Sequence, residues 1–156
     1  MTLRKILSED LIKIPLESTT KEEIIREMVD LLYKSHKVQD KQKLLKSIIE
    51  REQLMSTGVG DGVAIPHGKA EGVEELAAAF GITRGGIDFQ SIDDKPVHIV
   101  FLLVGPINQP GPHLKALSRI SRLMHKAEFR QRLLVSCSPV EIMQNIVDEE
   151  NKYFES

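Results

Sequence analysis

The spacing of hydrophobic residues predicts helices toward both ends of the chain and strands between them. In several stretches, apolar positions recur at the three- and four-residue intervals that give a helix one buried face. Capping signals support two of the boundaries: Thr20 with Glu23, and Ser138 followed by Pro139 and Glu141. The predicted helices begin at Thr20, run from about Asp40 to Gln53, begin near His113, span 128–135, and begin after Ser138.

Three segments carry strand signals. The predicted strands are Val63–Pro66, Ala77–Thr83 and Val97–Val104. The last is apolar except for His98, which is typical of a central strand buried on both faces. Arg84-Gly85-Gly86 is interpreted as a turn, and 105–112, with three prolines, as a loop. Helices on either side of several strands predict a layered α/β or α+β domain.

Composition narrows the class of protein. The 156 residues fit one domain, expected over 1–156. Lys and Arg number 21 against 23 Asp and Glu, and this balance argues against a broadly basic binder of nucleic acid or anionic membranes. One cysteine excludes an internal disulfide and a four-thiol metal site. With no visible signal peptide or membrane-length apolar run, we expect a cytoplasmic location.

One segment combines glycines with a histidine. Glycines alternate at 58, 60 and 62, and the strand that follows delivers His67 between Pro66 and Gly68. Alternating glycines allow a backbone to fold tightly and to expose N–H groups to an anion. Neither the dinucleotide-binding nor the nucleoside-triphosphate glycine pattern fits the spacing. A purely structural loop and an ordinary packed histidine remain alternatives, but a neutral imidazole placed in this way is also a candidate nucleophile.

Two further residues are candidates for the same site. Arg51 precedes the glycines, and its planar guanidinium can pair with two oxygens of a phosphoryl group. His113 is expected to begin a helix, where helix N–H groups and the imidazole would face an anion together. Alternatively, Arg51 is a solvated cation of a helix end and His113 a polar residue at a helix start.

Other chemistry-bearing residues favour structural roles. His98, inside the apolar strand, is expected to be packed and bonded to backbone. A zinc site built from His67, His98 and His113 is conceivable, although their spacing is not that of metal ligands. Cys137 precedes a helix, which can lower a thiol pKa, but a small buried cysteine is the commoner case.

The motif resembles that of a known family. Arg51-Glu52, Ser56-Thr57-Gly58-Val59-Gly60 and Ala64-Ile65-Pro66-His67-Gly68 are similar to the signature of the fructose/mannitol-type (type 2) enzyme IIA of the bacterial phosphoenolpyruvate-dependent phosphotransferase system (PTS). The similarity extends over about residues 3–149. It implies a three-layer α/β fold, in which a mixed β-sheet is sandwiched between helices.

The resemblance also implies residue roles. His67 would accept the phosphoryl group as a phosphohistidine, Arg51 would neutralise its charge, and His113 would donate to its oxygens or to the acceptor ring. Ser56, Thr57 and Gly58, at the start of the glycine segment, are also expected to contact the phosphoryl group. Asp61 departs from the asparagine of many relatives, and we expect its carboxylate to point away from His67.

The implied reaction needs protein partners rather than a cofactor. HPr would donate the phosphoryl group and a cysteine of enzyme IIB would accept it, with no metal or nucleotide and with phosphotransferase activity as the result. The alternative within the family is the nitrogen-regulatory branch, in which phosphorylation of His67 controls binding to other proteins. A metal hydrolase built on His67 and His113 is the alternative from another class.

Overall fold

The computed structural model describes residues 2–154, and within that range five α-helices flank a six-stranded sheet. The helices are α1 Lys21–Lys34, α2 Lys41–Leu54, α3 Pro110–Met124, α4 Ala127–Leu134 and α5 Pro139–Tyr153. The strands are β1 Ile12–Lys13, β2 Gly58–Gly60, β3 Val63–Ala64, β4 His67–Lys69, β5 Ala77–Ile87 and β6 Val97–Gly105. The single domain predicted over 1–156 includes positions 1, 155 and 156, which lie outside the described residues.

The sheet is mixed and centred on β6. Its order is β1-β5-β6-β3-β2, and β4 also pairs with β6, beyond β3 along the same strand. The β5–β6 pair is antiparallel, whereas β1 is parallel to β5 and both β3 and β4 are parallel to β6. Every residue of β6 except His98 is buried, as predicted for a central strand.

Helices cover both faces of the sheet. A Cβ atom added at Gly68 would meet Ile48 of α2, whereas one added at Gly105 would meet His113 of α3. Gly105 lies opposite Lys69, the neighbour of Gly68 in β4. Successive residues of a strand point to opposite faces, so α2 and α3 lie on opposite sides of the sheet. The predicted three-layer arrangement, a mixed sheet between helices, is confirmed.

Side-chain caps fix three helix starts at the predicted places. The Thr20 hydroxyl accepts from the Glu23 N–H, the Asp40 carboxylate from the Lys43 N–H, and the Ser138 hydroxyl from the Glu141 N–H. Each satisfies a backbone donor that a helix start leaves without a partner, a contribution of about 1 kcal/mol. Local sequence therefore determines where these helices begin.

The turn predicted at Arg84-Gly85-Gly86 is wrong, because β5 continues through it to Ile87. The glycines allow an irregular strand pairing here: register shifts between Ile82 and Ile87, and Gly86 has φ +78°. The guanidinium of Arg84 donates to the carbonyls of Leu134 and Ser136, which ties this extension to the end of α4.

Two boundaries near the candidate site also differ from prediction. The strand expected over Val63–Pro66 is regular only over Val63–Ala64, and β4 begins anew at His67. Helix α3 begins at Pro110 rather than near His113. Proline lacks an N–H and its fixed φ suits a first helical turn, so prolines that suggested a loop instead open the helix.

Among the described helices, none combines the length and the hydrophobicity needed to cross a bilayer.

Candidate active site

His67 is the first residue of β4, where the sheet pairs with the C-terminal half of β6. The Leu103 N–H donates to the Pro66 carbonyl at 3.0 Å, and His67 lies opposite Leu103 in register. Since alternate residues share a face, His67 projects to the side of Lys69 and α3, away from Gly68 and α2. Pairing with the buried central strand therefore fixes the backbone position from which the imidazole projects.

A backbone contact assigns the tautomer of His67. Its Nδ1 atom lies 2.9 Å from the carbonyl oxygen of Ile65. Because a carbonyl can only accept, we assign the ring proton to Nδ1, and this leaves the lone pair on Nε2. Nε2 is therefore the nucleophilic nitrogen of the neutral ring.

The surroundings of His67 favour that neutral ring. Burial lowers the pKa of His67, and the positive charges of Arg51 and Lys69 lower it further. The hydrogen bond to Ile65 and the charge of Glu52 act in the opposite direction without reversing the shift. At neutral pH the imidazole is mainly unprotonated and able to attack an electrophile.

His113 faces His67 from α3. Their ring centroids lie 5.8 Å apart with an angle of 59° between the ring planes. His113 is 4% exposed, and neither of its ring nitrogens has a hydrogen-bond partner within residues 2–154. Burial, with the nearby charges of His67 and Lys69, lowers the pKa of His113 to about 4. A buried polar group without a partner costs about 1–3 kcal/mol, so the ring is available to a ligand that supplies one.

Arg51 reaches the site from the last turn of α2. Its Nη1 donates to the carbonyl of Met55 at 2.8 Å, which folds the guanidinium back over the end of the helix. Within the described residues it forms no ion pair with a carboxylate. Its charge is thus available to an anion beside His67.

These residues line one cleft of about 580 Å³. Its lining residues are Ser47, Arg51, His67, Gly68, Lys69, Ile107, Pro110, His113, Leu114 and Leu117. Two cations and two imidazoles face the space, and none of the lining residues is acidic. Exposed apolar side chains, Ile107 at 58% and Leu114 at 69%, form part of its rim. The cleft is therefore suited to an anionic group presented by another molecule.

Ser56, Thr57 and Gly58 lie outside the lining of this cleft. The Ser56 hydroxyl donates to the Phe89 carbonyl at 2.6 Å and accepts from the Gly58 N–H at 3.0 Å. Thr57 donates through both its N–H and its hydroxyl to Glu52. Gly58 begins strand β2 rather than an open loop, so its N–H is not exposed to an anion as the glycine pattern suggested. The structure thus brings His67, His113 and Arg51 together in the cleft. Ser56, Thr57 and Gly58 form hydrogen bonds within the protein instead.

The expected cluster of helix N–H groups at His113 is also absent from the described part of α3. Pro110 and Pro112 have no N–H, and the N–H of His113 bonds to the Gln109 carbonyl at 3.4 Å. Among the first four residues of α3, only Gly111 and His113 carry a backbone N–H. The imidazole of His113 lines the cleft, whereas a row of helix N–H groups does not form there.

Three further expectations concern residues away from the cleft. His98 packs with Nδ1 3.0 Å from the Thr83 carbonyl, as predicted for a histidine bonded to backbone. Asp61 lies 4.0 Å from Arg130 and is not part of the cleft lining, in agreement with the prediction that it faces away. Cys137 is exposed. Within residues 2–154, no three His, Cys, Asp or Glu side chains are arranged to hold a metal ion.

Sequence patterns alone missed Lys69, Gly105 and Glu52. The alternation of a strand could have indicated Lys69, which lies two residues after His67 on the same face. Gly105 makes room for the facing imidazole, because a Cβ there would lie 3.1 Å from Nδ1 of His113. Glu52 is buried and bonded to Thr57 and Lys21, contacts that no local pattern predicts.

The fold and the cleft define a three-layer α/β protein in which two facing imidazoles and two cationic side chains line one cleft. Residues 5–149 match the family model described as the phosphoenolpyruvate-dependent sugar phosphotransferase system, EIIA 2. The chain therefore belongs to the type 2 EIIA family of that system, whose members are phosphotransferase components.

Relatives from both branches of the family are similar to the chain. A fructose-specific EIIABC component of Bacillus subtilis is 39% identical over 97% of this chain, which spans only 24% of that protein. A fructose-specific EIIA component of Haloferax volcanii is 36% identical over 80% of this chain and 81% of its own length. The crystal structure of nitrogen regulatory protein IIA-Ntr from Neisseria meningitidis aligns with a TM-score of 0.85 and 32% identity, covering 91% of this chain and 97% of that one.

Proposed function

We propose that this protein is a phosphohistidine carrier that accepts a phosphoryl group from phospho-HPr on Nε2 of His67 and passes it to a cysteine of enzyme IIB. The observation that carries the proposal is the 2.9 Å contact from Nδ1 of His67 to the Ile65 carbonyl, which leaves Nε2 unprotonated beside a cleft lined by cations. As the Nε2–P bond forms, the P–N bond of the donor breaks. In the second transfer an S–P bond forms as Nε2–P breaks.

Arg51 and Lys69 supply the positive charge that this exchange needs. Phosphoryl transfer depends mainly on positioning and on neutralising charge at the three non-bridging oxygens, with little acid–base chemistry. The two cations line the cleft of His67, and none of the residues lining the cleft is acidic. Arg51 offers a planar pair of N–H donors, whereas Lys69 acts as a point charge.

His113 is proposed to donate an N–H to the phosphoryl group on His67. Its ring lies 5.8 Å from that of His67, and its buried nitrogens have no partner within the described residues. A phosphoryl oxygen placed between the rings would satisfy one of them. The cost of the unpartnered imidazole would then be recovered in the phosphorylated state, which favours loading of His67.

The rim of the cleft suits transient protein partners. Ile107 and Leu114 are exposed beside His67, and an apolar rim around a charged centre is typical of a protein–protein contact. The B. subtilis relative is named as an EIIABC component, which supports a IIB partner for the part that matches this chain. We place the exchange in the cytoplasm, where a reducing environment keeps an exposed thiol such as Cys137 free.

Labelling with phosphoenolpyruvate, enzyme I and HPr tests the proposal. We expect one acid-labile, alkali-stable phosphate per chain, absent in His67→Ala and retained in His125→Ala, a control at an exposed histidine outside the cleft. Subsequent incubation with a fructose-type enzyme IIB should move the label to its cysteine. Undiminished labelling of His67→Ala would overturn the assignment.

A regulatory role is the second candidate, supported by the similarity to the N. meningitidis IIA-Ntr structure. In that role the phosphate on His67 would change affinity for another protein and would not move a sugar. The two functions separate at the second step. A regulatory role would be favoured if the labelled protein does not transfer its phosphate to enzyme IIB and if its binding to other cellular proteins changes with phosphorylation.

A further inference from the structure

We infer that Glu52 is a positioning residue for Arg51: its buried carboxylate holds segment 55–57 in the place from which that segment fixes the guanidinium. The inference rests on the proposed function, since it assigns Glu52 a part in phosphoryl transfer. Glu52 neither lines the cleft nor touches His67, so its role is indirect.

The carboxylate of Glu52 lies at the centre of a buried junction. Oε1 accepts from the Thr57 N–H at 2.8 Å and pairs with Nζ of Lys21 at 2.7 Å, while Oε2 accepts from the Thr57 hydroxyl at 2.5 Å. Lys21 also donates to the Phe89 carbonyl at 3.3 Å. The side chain of Glu52 is 5% exposed and that of Lys21 is 18% exposed. One carboxylate thus joins the end of α2, the start of α1 and the segment after α2.

That segment in turn holds Arg51. The chain leaves α2 at Leu54, and the Met55 carbonyl accepts from Nη1 of Arg51 at 2.8 Å. Met55 is two residues from Thr57, whose N–H and hydroxyl are both bound to Glu52. Movement of Thr57 would displace the Met55 carbonyl and release the guanidinium. Glu52 and Arg51 are therefore connected by hydrogen bonds to the two ends of the three-residue segment 55–57.

The direction of the effect separates positioning from simple charge. Glu52 is anionic and lies near a site that receives an anion. Through charge alone, Glu52→Gln would make the site more positive and would favour the phosphoryl group. Positioning predicts the opposite, because a weaker hold on segment 55–57 loosens Arg51 and slows transfer.

The chain offers a matched control in Glu27. It pairs with Nζ of Lys13 at 2.7 Å and accepts from the backbone N–H groups of Glu17 and Ser18, an arrangement close to that of Glu52. It does not line the cleft of His67. Glu27→Gln and Glu52→Gln should both lower thermal stability, so a general loss of stability cannot distinguish them, whereas transfer rates can.

The experiment measures single-turnover transfer from phospho-HPr to full-length protein. Glu52→Gln should slow transfer by about tenfold or more, whereas Glu27→Gln should stay within about twofold of the unmodified rate. In an Arg51→Met background, Glu52→Gln should cause no further loss, because the group it positions has been removed. A normal rate in Glu52→Gln, or an equal loss with and without Arg51, would overturn the inference.

A second variant covers the case in which Glu52→Gln does not fold. Thr57→Val keeps the size of the side chain and removes only the hydroxyl donor to Glu52. It should show a smaller loss that again disappears in the Arg51→Met background, and an unchanged rate would equally overturn the inference. Labelling of the unmodified protein is read separately: its absence would refute the proposed function, whereas normal labelling with unaffected variants would refute only the role of Glu52.

Discussion

Nδ1 of His67 lies 2.9 Å from the carbonyl oxygen of Ile65, two residues earlier in the chain. The short connection through Pro66, whose φ is fixed by its ring, keeps the carbonyl and the imidazole together. Because the Nδ1–H of His67 donates its hydrogen bond to this carbonyl, the lone pair available for reaction is on Nε2. A contact inside the Ile65-Pro66-His67 motif thus selects the reactive atom.

We predict that the phosphate is attached to Nε2 of His67. Long-range ¹H–¹⁵N correlation spectra of uniformly ¹⁵N-labelled protein should show the Nδ1–H tautomer before phosphorylation. After phosphorylation, coupling to phosphorus should appear at Nε2. Coupling at Nδ1 instead would mean that the bond to Ile65 breaks during the reaction.

Stability should fall in mild acid because His113 is buried as the neutral ring. The pKa of His113 is lowered from 6.5 to about 4, so between these values the unfolded chain binds a proton that the folded protein does not. This contribution is fully present above about pH 6.5 and is lost as the pH falls toward 4, by up to about 3 kcal/mol.

The histidine effect can be separated from that of the carboxylates. Burial acts to raise the pKa of Glu27, but hydrogen bonds from Lys13 and from the backbone of Glu17 and Ser18 outweigh it and lower the pKa from 4.5 to about 2. Its contribution is therefore present above pH 4.5 and is lost as the pH falls from 4.5 toward 2, mostly below the range of His113. Urea unfolding at a series of pH values should show a flatter dependence between pH 6.5 and 4 in His113→Gln. An identical slope in that variant would contradict the buried neutral imidazole.

Arg51→Lys should slow phosphoryl transfer while leaving the fold intact. Lysine keeps the positive charge but loses the planar pair of donors and cannot reproduce the contact to Met55 in the same geometry. We expect a fall of about 10- to 100-fold in the single-turnover rate, with little change in the urea midpoint. A rate equal to that of the unmodified protein would remove Arg51 from the transfer step.

Gly68→Ala should impair both stability and transfer. A Cβ atom at this position would lie 2.8 Å from Cγ1 of Ile48 and 3.2 Å from its backbone nitrogen, so β4 and α2 must separate. The expected cost is about 1–3 kcal/mol, and the displacement would move the adjacent His67.

Gly111→Ala is the matched control in the first turn of α3, where a Cβ would meet nothing within 4 Å. Its backbone N–H is retained, and alanine is the better helix former, so stability and transfer should be unchanged or slightly higher. Equal behaviour of the two variants in urea unfolding would contradict the close packing of β4 against α2.

Local rules of the sequence determined much of the fold. The caps predicted at Thr20 and Ser138 depend on a side chain and a backbone N–H three residues away, and the structure confirms both. Asp40, the predicted start of the second helix, caps α2 in the same way. The apolar run of β6 is equally local, because eight β-branched and other apolar residues with one polar interruption are typical of a strand buried on both faces.

Some residues are common in two kinds of secondary structure, and at these positions tertiary contacts decided which one forms. The glycines at 85 and 86 serve an irregular strand because β6 and the end of α4 hold them there. Pro110 and Pro112 open a helix that packs on β6, although the same residues are common in loops. Local propensity could not separate these outcomes, since the deciding contacts come from distant parts of the chain.

By itself, the sequence determined that His67 is held between a proline and a glycine at the end of a short apolar segment. The contact of its Nδ1 with the Ile65 carbonyl is seen only in the structure. Only the tertiary structure decided that Arg51 and His113 share its cleft and that Thr57 turns to Glu52 instead. Arg51 arrives from α2 on one face of the sheet and His113 from α3 on the other, and they meet at the edge formed by β4. The physical reason is that each helix packs its apolar side against one face of the sheet, and this packing brings Arg51 and His113 together. The spacing of the two residues along the chain does not predict it.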